Sequence, residues 1–110
     1  MDIAVPLDPA LVDRISAVVD EAADEVVAFT ADLIRIPTVN PPGEEYESCA
    51  RFIGDALERF DFDVHYVAAE GHPDHTTAHP RVNVIGRRAG RHAHPLVHLN
   101  GHFDVVPAGE

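Results

Sequence analysis

The sequence predicts an α/β fold in which two N-terminal helices pack on a mixed three-stranded sheet. Three observations carry that expectation. Apolar residues recur at threes and fours through roughly the first sixty positions, and short β-rich runs fill the remainder. Links containing Pro and Gly separate these segments. With 110 residues, 45% hydrophobic and 25% charged, the chain is at most one globular domain and not a disordered one.

The first helix is announced by Asp8, a candidate N-cap, followed by Pro9 at the first helical position. Leu11, Ile15, Val18, Ala22, Val26, Phe29 and Leu33 then fall on one helical face. Pro37 ends the pattern and pushes Ile36 toward an extended conformation. This reads as one long helix, with a break allowed near Ala23–Asp24. "TVNPPGEE" is a loop by its Pro-Pro-Gly. A second helix is expected from about Glu45 to Phe60. Its acidic start suits the positive end of the helix dipole, and Tyr46, Cys49, Ile53, Leu57 and Phe60 share a stripe. Strands are expected at 62–68, 81–87 and 96–101. The link 88–95 is too short for a parallel crossover, and 69–80 shows no helical period, so at least one pairing should be antiparallel.

Charge is distributed unevenly. Residues 1–63 hold 15 acids against 4 arginines, whereas 64–110 hold 4 of each, and there is no lysine. The acidic N-terminal half argues against nucleic acid or an anionic membrane as a partner. A single cysteine, Cys49, excludes an intramolecular disulfide and a thiolate metal cluster, and its place on the helical stripe makes it a small core residue. "MDIAVPLDPALV" lacks the basic and long apolar regions of a signal peptide, and no apolar run approaches a membrane span. A cytoplasmic location is the expectation.

The sequence has 8 histidines. His72, His75 and His79 lie in "GHPDHTTAHP", and His92 and His94 in "RHAHP". Loops rich in Pro and Thr impose no fixed ligand geometry, so these read as solvated. His65 and His98 fall within expected strands and read as packed or hydrogen-bonded. His102 is different. In an extended segment, side chains two apart share a face, which puts Asp104 beside His102. A carboxylate accepting one imidazole N–H fixes the tautomer and raises the basicity of the other nitrogen, as is common for metal-bound histidines. Gly101 leaves room for a ligand, and the ends of strands are where α/β sheets bind ligands. From the residues alone, a metal or catalytic role and a purely structural His–Asp pair stand level.

The wider string adds a resemblance. "LVHLNGHFDVVPAGE" resembles the first metal-binding motif of the M20 metallopeptidases, a family that includes acetylornithine deacetylases, succinyl-diaminopimelate desuccinylases, aminoacylases and carboxypeptidase G2-like enzymes. "LIRIPTVNPPGEE" resembles the family's segment after the first helix, and "RVNVIGRRAG" the strand before the motif. The resemblance spans about residues 30–110 and implies the N-terminal part of a zinc-exopeptidase-like, three-layer αβα catalytic domain. It implies that His102 ligates one of two zinc ions, cobalt being an allowed substitute, and that Asp104 orients His102. It further implies hydrolysis of N-acyl amino acids or short peptides by metal-activated water. The remaining ligands, the glutamate base and the small lid or dimerisation domain of a complete, homodimer-capable enzyme would lie outside residues 1–110.

On this reading the isolated chain is expected to be inactive. The alternative is a self-contained acidic α/β interaction module without catalysis. A third possibility is a histidine-rich metal carrier using the 72–94 loops.

Overall fold

The computed structural model describes residues 6–94 and 96–109. Residues 1–5, on which the leader reading partly rests, lie outside the described residues. The chain divides after Arg35 into two compact units.

The first unit is helical. Helix α1 spans Pro9–Glu21, and its N-cap Asp8 accepts a hydrogen bond from the Ala10 amide at 3.0 Å, with Pro9 at the first helical position. Helix α2 spans Ala23–Arg35. The break between them is a single residue, Ala22, at φ −86°, ψ 0°, one position before the expected place. The backbone ladder nearly bridges it: the Ala22 amide donates to Val18 O at 3.1 Å and the Val26 amide to Ala22 O at 2.9 Å. Like charges four apart, Asp20 with Asp24 and Glu21 with Glu25, flank this residue, and such pairs weaken a helix where they occur. Neither helix buries a residue.

The second unit places one helix on a two-stranded sheet. Helix α3 spans Tyr46–Arg59 and buries Tyr46, Cys49, Ala50, Gly54 and Ala56. It begins one residue later than expected because Glu45 is left-handed at φ 52°. Strands β1 (Asp63–Ala68) and β2 (Val82–Arg87) pair antiparallel, with Asp63 opposite Arg87 and Ala68 opposite Val82. Helix α3 packs against both strands. The approach is close: a Cβ at Gly54 would overlap the Tyr66 hydroxyl.

The expectation of a mixed three-stranded sheet on two helices is corrected in two respects. Among the described residues there are three helices, and the sheet has two strands, paired antiparallel. Residues 96–101, expected as the third strand, are not in a strand, and Leu96, Val97 and Leu99 are exposed. The physical reason is that a strand exists only through a neighbour that takes up its backbone hydrogen bonds; an apolar run supplies conformational preference, not a partner. Parallel pairing occurs as an isolated bridge between Val39 and Val105. Among the described residues, no helix is long and apolar enough to cross a membrane.

Candidate functional site

The site is assembled where the loop after Arg35 meets the segment around His102. Two backbone bonds clamp them: the Val105 amide donates to Thr38 O at 2.9 Å, and the Asn40 amide to Val105 O at 2.8 Å. The buried Thr38 adds its hydroxyl, which donates to Phe103 O at 2.7 Å. Phe103 meets the Tyr46 ring edge-on, with centroids 5.5 Å apart and planes at 88°. The chain then turns back at Gly43, whose φ of +97° favours glycine and where a Cβ would sit 3.0 Å from the Arg81 guanidinium carbon.

His102 and Asp104 do share a face and meet. His102 Nδ1 lies 2.8 Å from Asp104 Oδ1, with the imidazole side chain 85% exposed and the carboxylate 31% exposed. The other carboxylate oxygen, Oδ2, receives two donors: Asn40 Nδ2 at 3.1 Å and the Tyr46 hydroxyl at 3.0 Å. Arg81 stands behind both donors. One of its nitrogens donates to the Tyr46 hydroxyl oxygen at 3.2 Å and another to Asn40 Oδ1 at 3.1 Å. Its guanidinium also lies over the Tyr46 ring, 5.0 Å from the centroid, a cation–π distance.

These contacts set the local electrostatics. The hydrogen bond from His102, then that from Tyr46, hold the Asp104 carboxyl below the usual aspartate range; burial opposes them and Asn40 adds a smaller pull in their favour. Burial first, and the Asp104 acceptor second, push the Tyr46 phenol above its ordinary value, while Arg81 pulls it back. Asp104 is therefore ionised and Tyr46 protonated at neutral pH. An open cleft of about 300 Å³ adjoins the pair, lined in part by Tyr46, His72, Arg81, Asn83, His102 and Asp104. Gly101 opens onto free space, with no atom within 4 Å of where its Cβ would be.

Of the other histidines, only His72 also lines that cleft among the described residues. His72 Nδ1 accepts from the Asp74 amide at 3.2 Å and His75 Nδ1 from the Arg81 amide at 2.9 Å, so these two rings tie their own loop together. His65 Nε2 is 3.1 Å from Asp63 Oδ2 on β1. His98, expected within a strand, is exposed outside one. Among the described residues, no group of three or more His, Cys, Asp or Glu side chains is placed to hold a metal ion. The donor chemistry at His102 suits one zinc ligand, an imidazole with Nδ1 engaged and Nε2 available, but the described residues do not compose a zinc centre by themselves.

Four residues of this site were not singled out for it from sequence: Thr38, Asn40, Tyr46 and Arg81. Tyr46 carried a partial signal, since a tyrosine on a buried helical stripe must find a partner for its hydroxyl. Asn40 and Arg81 lie within the strings that carry the resemblance, but nothing in their local pattern pointed to Asp104. No protein-family model matches the chain, and no solved structure matches it.

Proposed function

We propose that this chain is the N-terminal part of a two-zinc metallohydrolase of the M20 type, which cleaves amide bonds of N-acyl amino acids or short peptides. The observation that carries the proposal is the state of His102: its Nδ1 is tied to an ionised Asp104, its Nε2 is left available, and it stands beside an open cleft. That is how a metal-ligating imidazole is prepared, and it occurs within the Gly-His-Phe-Asp-Val-Val-Pro string that carries the family resemblance. Bound zinc would supply Lewis acidity toward the amide and toward water. The role of this chain is to present one imidazole at a fixed angle, with Asp104 making its free nitrogen a better donor. The other ligands and the base would come from outside residues 1–110. In such a domain residues 96–101 would pair as a third strand of the sheet in the three-layer αβα fold, with His102 at its end.

The test begins with the coding sequence beyond codon 110. An in-frame continuation holding a further aspartate motif and an adjacent glutamate pair is expected, and a stop codon directly after Glu110 would overturn the reading. The continuous product should hydrolyse N-acyl amino acids, lose activity on chelation, and lose about a thousandfold or more on His102→Ala. The 110-residue chain alone should be inactive and bind zinc only weakly. Titration calorimetry showing sub-micromolar zinc at defined stoichiometry would contradict that, since one oriented imidazole is well short of a site.

One observation favours a second reading, a small interaction module. Ile15, Val18, Val19, Val26 and Val27 on α1 and α2 are each more than half exposed. Apolar surface of this kind is typical of binding faces. That reading expects an authentic stop after codon 110 and a folded chain without hydrolase activity.

A further inference from the structure

We infer that Asn40, Tyr46 and Arg81 are positioning residues for His102, acting through Asp104 to hold the imidazole as its Nδ1–H tautomer with Nε2 free. The inference deepens the proposed function, because it says what prepares the one ligand this chain supplies.

The argument follows proton positions from a single fixed point. An arginine side chain can only donate hydrogen bonds. Where Arg81 meets the Tyr46 hydroxyl oxygen and Asn40 Oδ1, both oxygens must accept. Tyr46 then has its one proton left to give, and it points at Asp104 Oδ2. Asn40 has its NH₂ left, and that reaches the same oxygen. Reversing the Asn40 amide would set its carbonyl against a carboxylate and its NH₂ against a guanidinium, so the cation fixes its orientation. With two donors on Oδ2, the carboxylate cannot rotate, and Oδ1 faces His102. An ionised carboxylate only accepts, so the ring nitrogen opposite it must carry the proton. The charge of Arg81 thus fixes the two donors that aim Asp104 Oδ1 at an imidazole Arg81 does not touch, and the aimed carboxylate sets the tautomer.

Arg81 is placed for this. It makes no ion pair among the described residues; the other hydrogen bonds of its guanidinium go to the carbonyl oxygens of Asp74 at 3.3 Å and Pro42 at 3.2 Å. The loop "TVNPPGEE" also gains a purpose, since it carries Asn40 and delivers Tyr46 beyond Gly43. The molecule contains its own control. Asp63 and His65 have the same two-residue spacing and meet at 3.1 Å through the other ring nitrogen, but Asp63 is 75% exposed and receives no such pair of donors among the described residues.

The test reads ring nitrogens by long-range ¹H–¹⁵N NMR on the metal-free chain with chelator present, at a pH where the ring signals have stopped moving. His102 should show a protonated Nδ1 and an unprotonated Nε2. Tyr46→Phe, which keeps the ring but removes the hydroxyl, should lower the ratio of Nδ1–H to Nε2–H. Adding Asn40→Ala should bring the total fall to about tenfold, the scale of losing hydrogen bonds to a charged group. His65 should not change. An unchanged His102 ratio in Tyr46→Phe, with its backbone amide spectrum intact, would overturn the inference, as would an Nε2–H ring in the parent chain. Should the double variant fail to fold, Tyr46→Phe alone decides the matter. Because no metal takes part, the brace and the zinc reading can fail independently: a zinc titration tests the second, the tautomer ratio the first.

Discussion

Helices α1 and α2 and helix α3 are built from similar patterns and end in opposite states. All three are amphipathic 13- or 14-residue segments with acids on the polar side. Yet α1 and α2 bury nothing, whereas α3 buries five residues, with Cys49 1% and Ala50 0% exposed. The difference lies in what each unit contains. Helix α3 is followed by a hairpin whose face receives its small residues, and the Gly54–Tyr66 approach shows how closely they fit. Among the described residues, the unit ending at Arg35 has no sheet of its own. An apolar stripe states a need for cover; only a neighbouring element meets it.

Paired substitutions sharpen this contrast. Ala50→Leu should destabilise the α3–sheet unit by about 3 kcal/mol, since the added atoms have no space. Val18→Ala, on a residue 65% exposed, should change chain stability by no more than about 0.5 kcal/mol. Urea unfolding followed by circular dichroism would measure both, and equal effects would break the comparison. The Cys49 thiol is the next probe. Burial pushes the thiol's pKa up and so disfavours the thiolate, leaving little of it at pH values near 8. Its reaction with a disulfide reagent should be at least about a hundredfold slower in the native chain than in urea, because the unit must open first. Prompt reaction in the native chain would mean that α3 is not seated on its sheet.

Smaller effects probe single bonds. Thr38→Val, which keeps the shape but removes the hydroxyl, should cost about 1 kcal/mol and speed amide exchange at Asn40 and Val105, the two amides of that clamp. In the other unit, Asp8→Ala should cost about 1 kcal/mol or less, confined to the first turn of α1, as loss of a side-chain cap does. Exchange accelerating throughout α2 as well would show that the Ala22 junction couples the two helices more strongly than its geometry suggests.

Much of the fold was legible. Asp8 and Pro9 marked the start of α1, and the break came one residue from its expected place. Strands β1 and β2 each lie within a residue of the expected bounds, and they supply the antiparallel pairing expected of at least one pair, across a link that showed no helical period. These are local properties, set by neighbours a few positions apart. Residues 96–101 show the limit of that logic: they read as strand from composition and have no strand in the structure, because pairing is not a property of one segment. The site divides in the same way. The His102–Asp104 pair was legible because two-residue spacing in extended chain is itself a geometry. Its supports were not, since Asn40 and Tyr46 reach Asp104 from 64 and 58 residues away, and Arg81 reaches Asn40 from 41.

What the sequence by itself determined, then, is the set of local structures and one chemically suggestive pair: caps, helical stripes, a hairpin, and an imidazole with its carboxylate. What only the tertiary structure decided is which stripe is covered and which way the protons around that pair point. The physical reason is range. Backbone preference and side-chain spacing act over a turn or two of chain, while burial and hydrogen-bond direction depend on partners that folding brings from elsewhere, such as the Arg81 guanidinium behind Asn40 and Tyr46.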